Sequence, residues 1–378
     1  MPSDLSSPLT SLAEAKAWYD PWLRDALKVW ATKGADPANG GFREGLSVDG
    51  AVFDPHRRMR SQTRQVLVFA KAAAIDTTGP WAQVARQGFA FLSRRGRRPD
   101  GLFANSLTLE GEVLDPTPRL YEQAFALLAL AALHEAGVDD EAAANEAAAL
   151  GAKLAVFRHA AGGFAETGEH PYQANAHMHL LEATLAWESL ARDGPWAALA
   201  DEIVELALAR FIDGGSGALN EFFDATWTPL TGEAGLLEPG HHFEWAWLLE
   251  RWGARRGHAP ARAAAARLFD LGLKGVDADR QVAINSVWAD FRPRDASARL
   301  WPQTEFLKAA LRLGAADQAL IAANGLRAYL ETPLRGVWRD KLDTDGRFLA
   351  EPAPASSFYH LLLAIQELAR DPAAARSA

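Results

Sequence analysis

Two adjacent histidines open an amphipathic segment directly after a Pro-Gly pair. The segment Glu238 to Trp245 reads Glu-Pro-Gly-His-His-Phe-Glu-Trp. Proline and glycine favour the turn before a helix, so we expect His241 and His242 in the first helical turn, where the helix dipole favours neutral imidazole. Neutral imidazole is the form that acts as a general base. Glu244 follows His241 at i+3 and could orient its ring, although two histidines can also simply cap a helix beside core tryptophans.

Five further segments begin with polar or aromatic side chains at helical spacing. They are Arg60 to Arg64, Arg119 to Gln123 with Tyr121, Asn175 to Glu182 with His179, Trp301 to Glu305, and Ser356 to His360. Residues three, four or seven positions apart share one face of a helix. The sequence therefore predicts six helices whose starts together form one site.

Proton transfer next to a carbonyl group is the chemistry that such a site favours. His241 and His360 lie on different predicted helices. Two neutral imidazoles beside a polyol can remove the C2 proton of an open-chain sugar and return it. Arg64 and a further histidine would stabilise the developing enediolate oxygen. This reaction needs no metal and no redox cofactor, and we expect neither.

Other kinds of site have weaker support. His177 and His179 face opposite sides of a helix, and the sequence has no His-Glu-x-x-His pair and no calcium loop, which disfavours a metal site. It has no Gly-x-Ser-x-Gly elbow and no cysteine for nucleophilic hydrolysis, and its glycine pairs do not match phosphate-loop or dinucleotide patterns. The acid and base of a glycoside hydrolase could still come from Glu182, Glu244 and Glu305.

Structural roles compete for several candidates. Arg60 could be an exposed surface charge, whereas Arg64 precedes the apolar run Val66 to Ala70 and is the better site candidate. His177 lies off the face that carries His179, which favours packing. The remaining histidines are interpreted as core or surface residues: His134, His159, His170, His242 and His258.

The composition is that of a globular protein with a large core. Of 378 residues, 49% are hydrophobic, and the net charge of -9 makes nucleic acid and anionic membranes poor partners. The absence of cysteine excludes disulfides and thiolate sites. Neither a signal peptide nor an 18-residue apolar stretch is found. We expect a soluble, cytoplasmic protein.

Glycine-containing turns recur about every 50 to 60 residues and divide the chain into six units of two helices each. Apolar residues at helical spacing predict the helices between them. The predicted helices are Leu12 to Thr32, Arg60 to Ile75, Pro80 to Arg95, Arg119 to Ala136, Asp140 to Arg158, Ala174 to Arg192, Ala197 to Ile212, Gly240 to Arg256, Ala259 to Leu273, Trp301 to Leu313, Ala315 to Thr332 and Ala355 to Arg370. The turn segments predict small β-hairpins.

Six helical hairpins can form an open solenoid or close into a toroid. An open solenoid gives no reason for ionisable and aromatic residues to recur at the starts of alternate helices. The clustering therefore favours an all-α fold, an (α/α)6 barrel of about twelve helices, as a single catalytic domain over residues 1–378.

Six motifs, in order along nearly the whole chain, resemble the N-acylglucosamine 2-epimerase superfamily. They are Gln62-Thr-Arg-Gln65, Tyr121-Glu-Gln-Ala-Phe125, Asn175-Ala-His-Met-His179 with Glu182, Gly240-His-His-Phe-Glu-Trp245, Trp301-Pro-Gln-Thr-Glu305 and Tyr359-His360. The resemblance implies an (α/α)6 barrel that acts on sugars without a cofactor.

The same resemblance implies roles for individual residues. His241 and His360 would be the acid/base pair, Arg64 would hold the C1 or C2 oxygen, and His179 would assist near O1 and in ring opening. The sugar-binding residues would be Tyr121, Asn175, Glu182, Glu244, Trp301 and Glu305, with His177 as a further candidate.

The segment from Asn175 through Trp187 is most similar to the mannose isomerase branch, which implies reversible conversion of D-mannose to D-fructose through a cis-enediol. His177 departs from that branch, since cellobiose 2-epimerases tend to have histidine there, so a 2-epimerase is the main alternative. A sugar phosphate has little support, because only Arg57, Arg58 and Arg60 could bind a phosphate. We expect a monosaccharide substrate and a monomer or homodimer. A non-enzymatic sugar-binding repeat protein is the alternative from another class.

Overall fold

Twelve α-helices carry the fold in the computed structural model, which describes residues 7–191 and 193–370. In chain order they are α1 (Leu12–Val29), α2 (Met59–Ile75), α3 (Trp81–Arg95), α4 (Leu120–Glu135), α5 (Asp140–Lys153), α6 (Ala174–Leu190), α7 (Trp196–Leu206), α8 (Pro239–Arg256), α9 (Ala259–Leu273), α10 (Leu300–Arg312), α11 (Ala316–Leu330) and α12 (Phe358–Ala369).

The predicted helices are confirmed, with differences only near their ends. Three of them finish in a short turn of another helical type, at Trp30–Gly34, Leu154–Phe157 and Ala207–Phe211. The last helix begins three residues later than predicted, because Ala355–Ser357 forms a 3-10 turn before it. Arg192, the predicted end of α6, lies outside the described residues. None of the described helices is long and apolar enough to cross a membrane.

Short antiparallel strands occupy the turns between helices, as predicted. They are β1 (Gly45–Leu46), β2 (Val52–Phe53), β3 (Arg57–Arg58), β4 (Ser106–Leu107), β5 (Val113–Asp115), β6 (Tyr172–Gln173), β7 (Phe222–Phe223), β8 (Val276–Asp277), β9 (Val282–Ala283), β10 (Ser286–Val287), β11 (Pro293–Asp295), β12 (Ala298–Arg299), β13 (Lys341–Leu342) and β14 (Ala353–Pro354). Two sheets have three strands, in the orders β14-β1-β2 and β3-β4-β5, and the others pair β6-β7, β8-β9, β10-β11 and β12-β13.

The described chain divides into two compact units. The 27–237 unit comprises Leu27–Leu237 and Pro352–Tyr359, and the 238–351 unit comprises the described parts of Met1–Ala26, Glu238–Glu351 and His360–Ala378. The extent of a single catalytic domain over residues 1–378 stays a prediction.

Helices of the 27–237 unit pack as successive hairpins. α4 contacts α2, α5 and α6, while α3 packs on α2 and α7 on α6. After its first turn, α4 consists almost entirely of alanine and leucine. Both residues are strong helix formers, and they make the helix apolar on every side. Such a helix must be surrounded, and it is buried along most of its length. By contrast α3 buries only one face.

The 238–351 unit repeats this arrangement. α8 contacts α9 and α10, and α10 contacts α11. Most of α8 is buried, including Trp245 and Trp247. In the same unit Tyr19 of α1 donates its hydroxyl proton to the carbonyl oxygen of Ala323 on α11, at 2.6 Å. These helices place the chemistry-bearing side chains on buried, well-packed supports.

A repeated hydrogen-bond pattern ties several even-numbered helices to the turns before them. Gln62, the fourth residue of α2, accepts a bond from the Phe42 N–H at 2.8 Å and donates one to the Phe42 carbonyl at 2.7 Å. The fourth residues of α4 and α10 bond in the same two ways, Gln123 to Phe103 and Gln303 to Ala283. We call this pattern the backbone clamp. It fixes the turn that precedes each of these helices.

Candidate active site

The sixth residue of each even-numbered helix carries much of the predicted chemistry. Counted from the first helical residue, with Ala355 as the start of the last segment, these residues are Arg64, Phe125, His179, Glu244, Glu305 and His360. All six are buried. The two units hold them in two groups, the arginine cluster (Arg64, Tyr121, Phe125, His179, Glu182 and Tyr359) and the histidine cluster (His241, Glu244, Trp301, Glu305 and His360).

Arg64 is held on several sides within the arginine cluster. Its Nη2 donates to the Tyr121 hydroxyl at 2.6 Å, and its Nη1 donates to the carbonyl oxygen of Ser356 at 3.1 Å. The guanidinium carbon lies 4.0 Å from the ring centre of Phe125 and 4.7 Å from that of Tyr359. Cation–π contacts and two fixed hydrogen bonds leave the guanidinium little freedom. It is a preorganised positive charge.

His179 completes the arginine cluster. Its ring centroid is 4.5 Å from Phe125 and 4.9 Å from Tyr121. Its Nδ1 is 3.6 Å from Glu182 Oε2, which also lies 3.5 Å from the Tyr359 hydroxyl. The predicted sharing of a face by His179 and Glu182 is confirmed, and Glu182 is the carboxylate that can orient the imidazole.

Asn175 and Arg60 occupy the second positions of α6 and α2. Asn175 is half-buried, and its Oδ1 has no hydrogen-bond partner among the described residues. Arg60 is not a free surface charge, because its Nη2 is 2.8 Å from Glu122 Oε1. Burial raises the pKa of Glu122, while Arg60 lowers it. Arg60 therefore balances a buried carboxylate.

In the histidine cluster, Glu305 holds His360. Glu305 Oε1 and His360 Nδ1 are 2.8 Å apart, and both side chains are buried. A carboxylate next to Nδ1 selects the neutral tautomer that has its proton on Nδ1. The lone pair then lies on Nε2. This is the arrangement that a general base requires.

Trp301 lies against both candidate bases. Its ring centroid is 5.2 Å from His241 and 5.8 Å from His360. Gly240 permits this approach, since a Cβ at that position would come within 2.5 Å of the Trp301 ring. His241 Nδ1 is 4.0 Å from Glu238 Oε2. The indole thus fixes the positions of two imidazoles from different helices.

Glu244 lies near the His360 end of the histidine cluster. Glu244, Glu305 and His360 each place one potential ligand atom within 4.8 Å of the others. Carboxylate oxygens and an imidazole nitrogen are possible zinc ligands. Here, however, Glu305 Oε2 already accepts a hydrogen bond from Lys308 Nζ at 2.7 Å. The group therefore contains a positive charge of its own, and we assign no metal ligands in it.

His177 has both ring nitrogens bonded to the main chain. Its Nε2 accepts from the Phe164 N–H at 3.0 Å, and its Nδ1 lies 2.9 Å from the Gln173 carbonyl. It is the fourth residue of α6, the position of the clamp glutamines. Both ring nitrogens are thus engaged with the main chain, which favours a structural role for His177, and its candidate substrate-binding role stays a prediction.

We expect His177→Gln to keep the fold and the activity, because glutamine makes the backbone clamp at the same position in three other helices. His177→Ala is expected to lower the free energy of unfolding by about 2 to 4 kcal/mol, since it leaves a buried N–H without an acceptor and opens a cavity. Urea unfolding and steady-state rates measure both effects. If His177→Gln loses activity while its stability is unchanged, His177 binds the sugar and its role is not only structural.

The same variant should change the pH dependence of stability. Burial lowers the pKa of His177 to about 4, and likewise that of His242. Stability from a lowered histidine pKa is complete above the unfolded-state pKa of about 6.5 and is lost as the pH falls toward 4. Because His177→Gln removes one of the two groups, we expect a shallower loss of stability between these pH values. An unchanged slope would contradict the burial argument.

Three side chains in or beside the clusters were not predicted as site residues: Phe125, Tyr359 and Lys308. Phe125 and Tyr359 stand in the motifs that carry the family resemblance, but no role was predicted for either of them. Lys308 follows Glu305 at i+3, which is a sequence signal for an ion pair. Its burial depends on tertiary packing that the sequence does not display.

Comparison with known proteins identifies the family. The model of the N-acylglucosamine 2-epimerase (GlcNAc 2-epimerase) family matches residues 40–364. The chain belongs to this family. Its members are sugar epimerases and isomerases, so the protein is an enzyme of the isomerase or epimerase class.

Individual relatives agree with the family. A mannose-6-phosphate isomerase of Rhizobium meliloti is 45% identical over 369 residues, covering 92% of this chain and 95% of that protein. A solved D-mannose isomerase superposes with a TM-score of 0.82 at 21% identity, covering 98% of this chain and 99% of its own. The cellobiose 2-epimerase of Spirochaeta thermophila gives 0.84 at 21% identity, covering 97% and 98%. These likenesses confirm the predicted (α/α)6-barrel fold of the N-acylglucosamine 2-epimerase family.

Proposed function

We propose that this family member is an aldose–ketose isomerase that interconverts D-mannose and D-fructose. The observation that carries the proposal is the 2.8 Å contact between His360 Nδ1 and the buried Glu305 carboxylate. Of the two neutral tautomers it favours the one that has its proton on Nδ1 and its lone pair on Nε2, and it holds the ring in place. The similarity to a D-mannose isomerase supports the choice of sugar.

The proposed reaction moves two protons and needs no external oxidant. His360 removes the proton from C2 of the open-chain aldose, and the C–H electron pair becomes the C1–C2 double bond of a cis-enediolate. The carbonyl π electrons move to O1, which carries the negative charge. His360 then returns the proton to C1, while a proton passes from O2 to O1, so that C2 becomes the ketone carbon.

The remaining predicted residues have roles around this step. Arg64 stabilises the enediolate oxygen, for which its fixed charge is suited. His179, with Glu182 at 3.6 Å, assists at O1 and in ring opening. His241 is the second acid/base group. Tyr121, Asn175, Glu182, Glu244, Trp301 and Glu305 bind the sugar hydroxyls or position the groups that react.

An uncharged sugar is favoured over a sugar phosphate. Each candidate phosphate-binding arginine has an acidic partner: Arg57 with Asp36, Arg58 with Glu44 and Arg60 with Glu122. A neutralised arginine attracts a phosphate dianion only weakly. The Rhizobium meliloti relative bears the name of a mannose-6-phosphate isomerase, so the phosphorylated sugar belongs in the test.

A 2-epimerase is the second candidate. The observation that favours it is the placement of two imidazoles, His241 and His360, against one indole. Epimerisation requires one base to remove the C2 proton from one face and a second acid to protonate the other. The similarity to cellobiose 2-epimerases supports the same alternative.

Proton NMR of the protein with D-mannose, D-mannose 6-phosphate or cellobiose in D2O tests these candidates. We expect D-fructose from D-mannose, with a kcat/KM at least about tenfold above that for D-mannose 6-phosphate. The phosphate would find no unpaired cation among Arg57, Arg58 and Arg60 to bind it, and a charged hydrogen bond of that kind is worth roughly 1 to 3 kcal/mol. Faster conversion of the phosphate would overturn the choice of an uncharged sugar. Glucose without fructose, or reaction of cellobiose only, would establish the epimerase.

A further inference from the structure

Lys308 is a buried lysine one helical turn after Glu305. Its Nζ is 2.7 Å from Glu305 Oε2, and neither side chain has exposed surface. The ammonium also lies 4.0 Å from the ring centre of Trp247 on α8. A buried ion pair adds little net stability compared with apolar residues of similar size. Stability alone therefore does not explain the Lys308–Glu305 pair, and its position beside His360 suggests a role in the chemistry.

Glu305 bridges Lys308 and His360. One carboxylate oxygen accepts from the lysine ammonium, and the other lies 2.8 Å from His360 Nδ1. The two bonds use different oxygens, so the lysine fixes the rotation of the carboxylate plane. That rotation sets the direction in which the imidazole Nε2 lies.

The charge balance around His360 depends on this lysine. In the described part of the 238–351 unit, Glu244 from α8 and Glu305 from α10 each place a carboxylate oxygen near His360, and His241 lies against the same Trp301 ring. Lys308 compensates Glu305. Removing the ammonium would leave two carboxylates near the imidazole. Nearby negative charge favours imidazolium, and imidazolium cannot accept a proton.

We propose that Lys308 is a positioning residue that acts on His360 through Glu305. Its ammonium orients the carboxylate and balances its charge, and so keeps His360 a neutral base with its lone pair on Nε2. The proposal rests on the proposed function of His360 as a base.

Three variants separate this role from packing. Lys308→Met removes the charge at similar length. The double variant Lys308→Met with Glu305→Gln removes both charges and keeps a side-chain oxygen that can accept from His360 Nδ1–H; buried pairs replaced as a unit are commonly tolerated. Lys71→Met is the matched control, because Lys71 pairs with Glu135 at a partly exposed position between α2 and α4.

Two readouts are taken on each variant. The first is the pH dependence of kcat/KM with D-mannose. The second needs no substrate: proton–nitrogen correlation spectra of 15N-histidine-labelled protein report the tautomer and titration of His360, whose signals are assigned by their loss in His360→Gln.

We expect Lys308→Met to move both the acid limb of the profile and the His360 titration to higher pH by about one unit or more, which corresponds to at least about tenfold lower kcat/KM on that limb. The double variant should reverse the shift, and Lys71→Met should show none. If Lys308→Met folds and its His360 titrates as in the wild type, the proposal is wrong. It is also wrong if the His360 titration of the double variant shifts as far as that of the single variant.

Failure of the proposed function gives a different pattern. If the wild type converts no D-mannose but the His360 titration shifts in Lys308→Met and returns in the double variant, then Lys308 controls His360 and only the reaction assignment fails. If Lys308→Met does not fold, the double variant alone decides. The charge argument is supported if His360 keeps its proton on Nδ1 and titrates at a pH no higher than in the wild type. It is refuted if His360 of the double variant titrates at a higher pH.

Discussion

His360→Gln is expected to lower the turnover of D-mannose by at least about 10³-fold, within the range that general base catalysis contributes. Glutamine can still bond to Glu305, which lies 2.8 Å from Nδ1 in the wild type, but it cannot take a proton from carbon. Proton NMR in D2O measures both fructose formation and the exchange of deuterium into the sugar. Both should be lost together.

A matched histidine elsewhere controls for this substitution. His258 caps α9 by accepting a bond from the Ala261 N–H at 3.1 Å, and His258→Gln should leave turnover within about twofold because only a helix cap is altered. His241→Gln provides the comparison between the two candidate bases. If His241→Gln abolishes exchange while His360→Gln retains it, the base is His241 and the role of the Glu305 contact was wrongly assigned.

Arg64→Met is expected to lower kcat by about 10²- to 10³-fold, the usual effect of removing one oxyanion-stabilising group. The guanidinium is held by Tyr121 and Ser356 and lies 4.0 Å from the Phe125 ring, and methionine supplies neither the charge nor these hydrogen bonds. Arg64→Lys should recover little, because an ammonium cannot make both hydrogen bonds and the planar contact. Steady-state kinetics separate kcat from KM.

The control for Arg64→Met is Arg86→Met, which breaks the exposed ion pair of Arg86 with Asp139. Exposed pairs of this kind contribute at most about 1 kcal/mol to stability, so activity and thermal midpoint should stay close to those of the wild type. An Arg64→Met enzyme with raised KM and unchanged kcat would show that Arg64 binds the sugar in its ground state and does not stabilise the enediolate.

Helices were predictable because the information for them is local. The spacing of apolar residues in segments such as α4 and α9, together with the glycine turns that separate the helices, predicted the helix ends to within a few residues. The order of the family motifs along the chain predicted the fold. The grouping of Glu182 with His179 also follows from helical spacing, since both lie on one helix face.

Contacts between different helices were not predictable from spacing. The sequence indicates that Glu305 faces the same side as Trp301, but its bond to His360 depends on how α10 and α12 pack. Lys308 stands in an apolar run, where a lysine usually extends its ammonium toward water. Burial against Trp247 prevents that, and only the packed structure reveals it. The bond of His177 to the main chain was hidden for the same reason, because that partner lies in a turn 13 residues earlier.

The backbone clamp separates support from chemistry along α2, α4 and α10, and His177 stands at the same position of α6. Its residue is the fourth, while the sixth lies roughly 200° further around the helix and varies among Arg, Phe, His and Glu between repeats. The sixth residue can therefore change from one hairpin to the next without loosening the turns that the clamp holds. For protein engineering, this defines a small combinatorial library: keep Gln62, Gln123, His177 and Gln303, randomise Phe125 and Glu244, and select for new sugars on an unchanged scaffold.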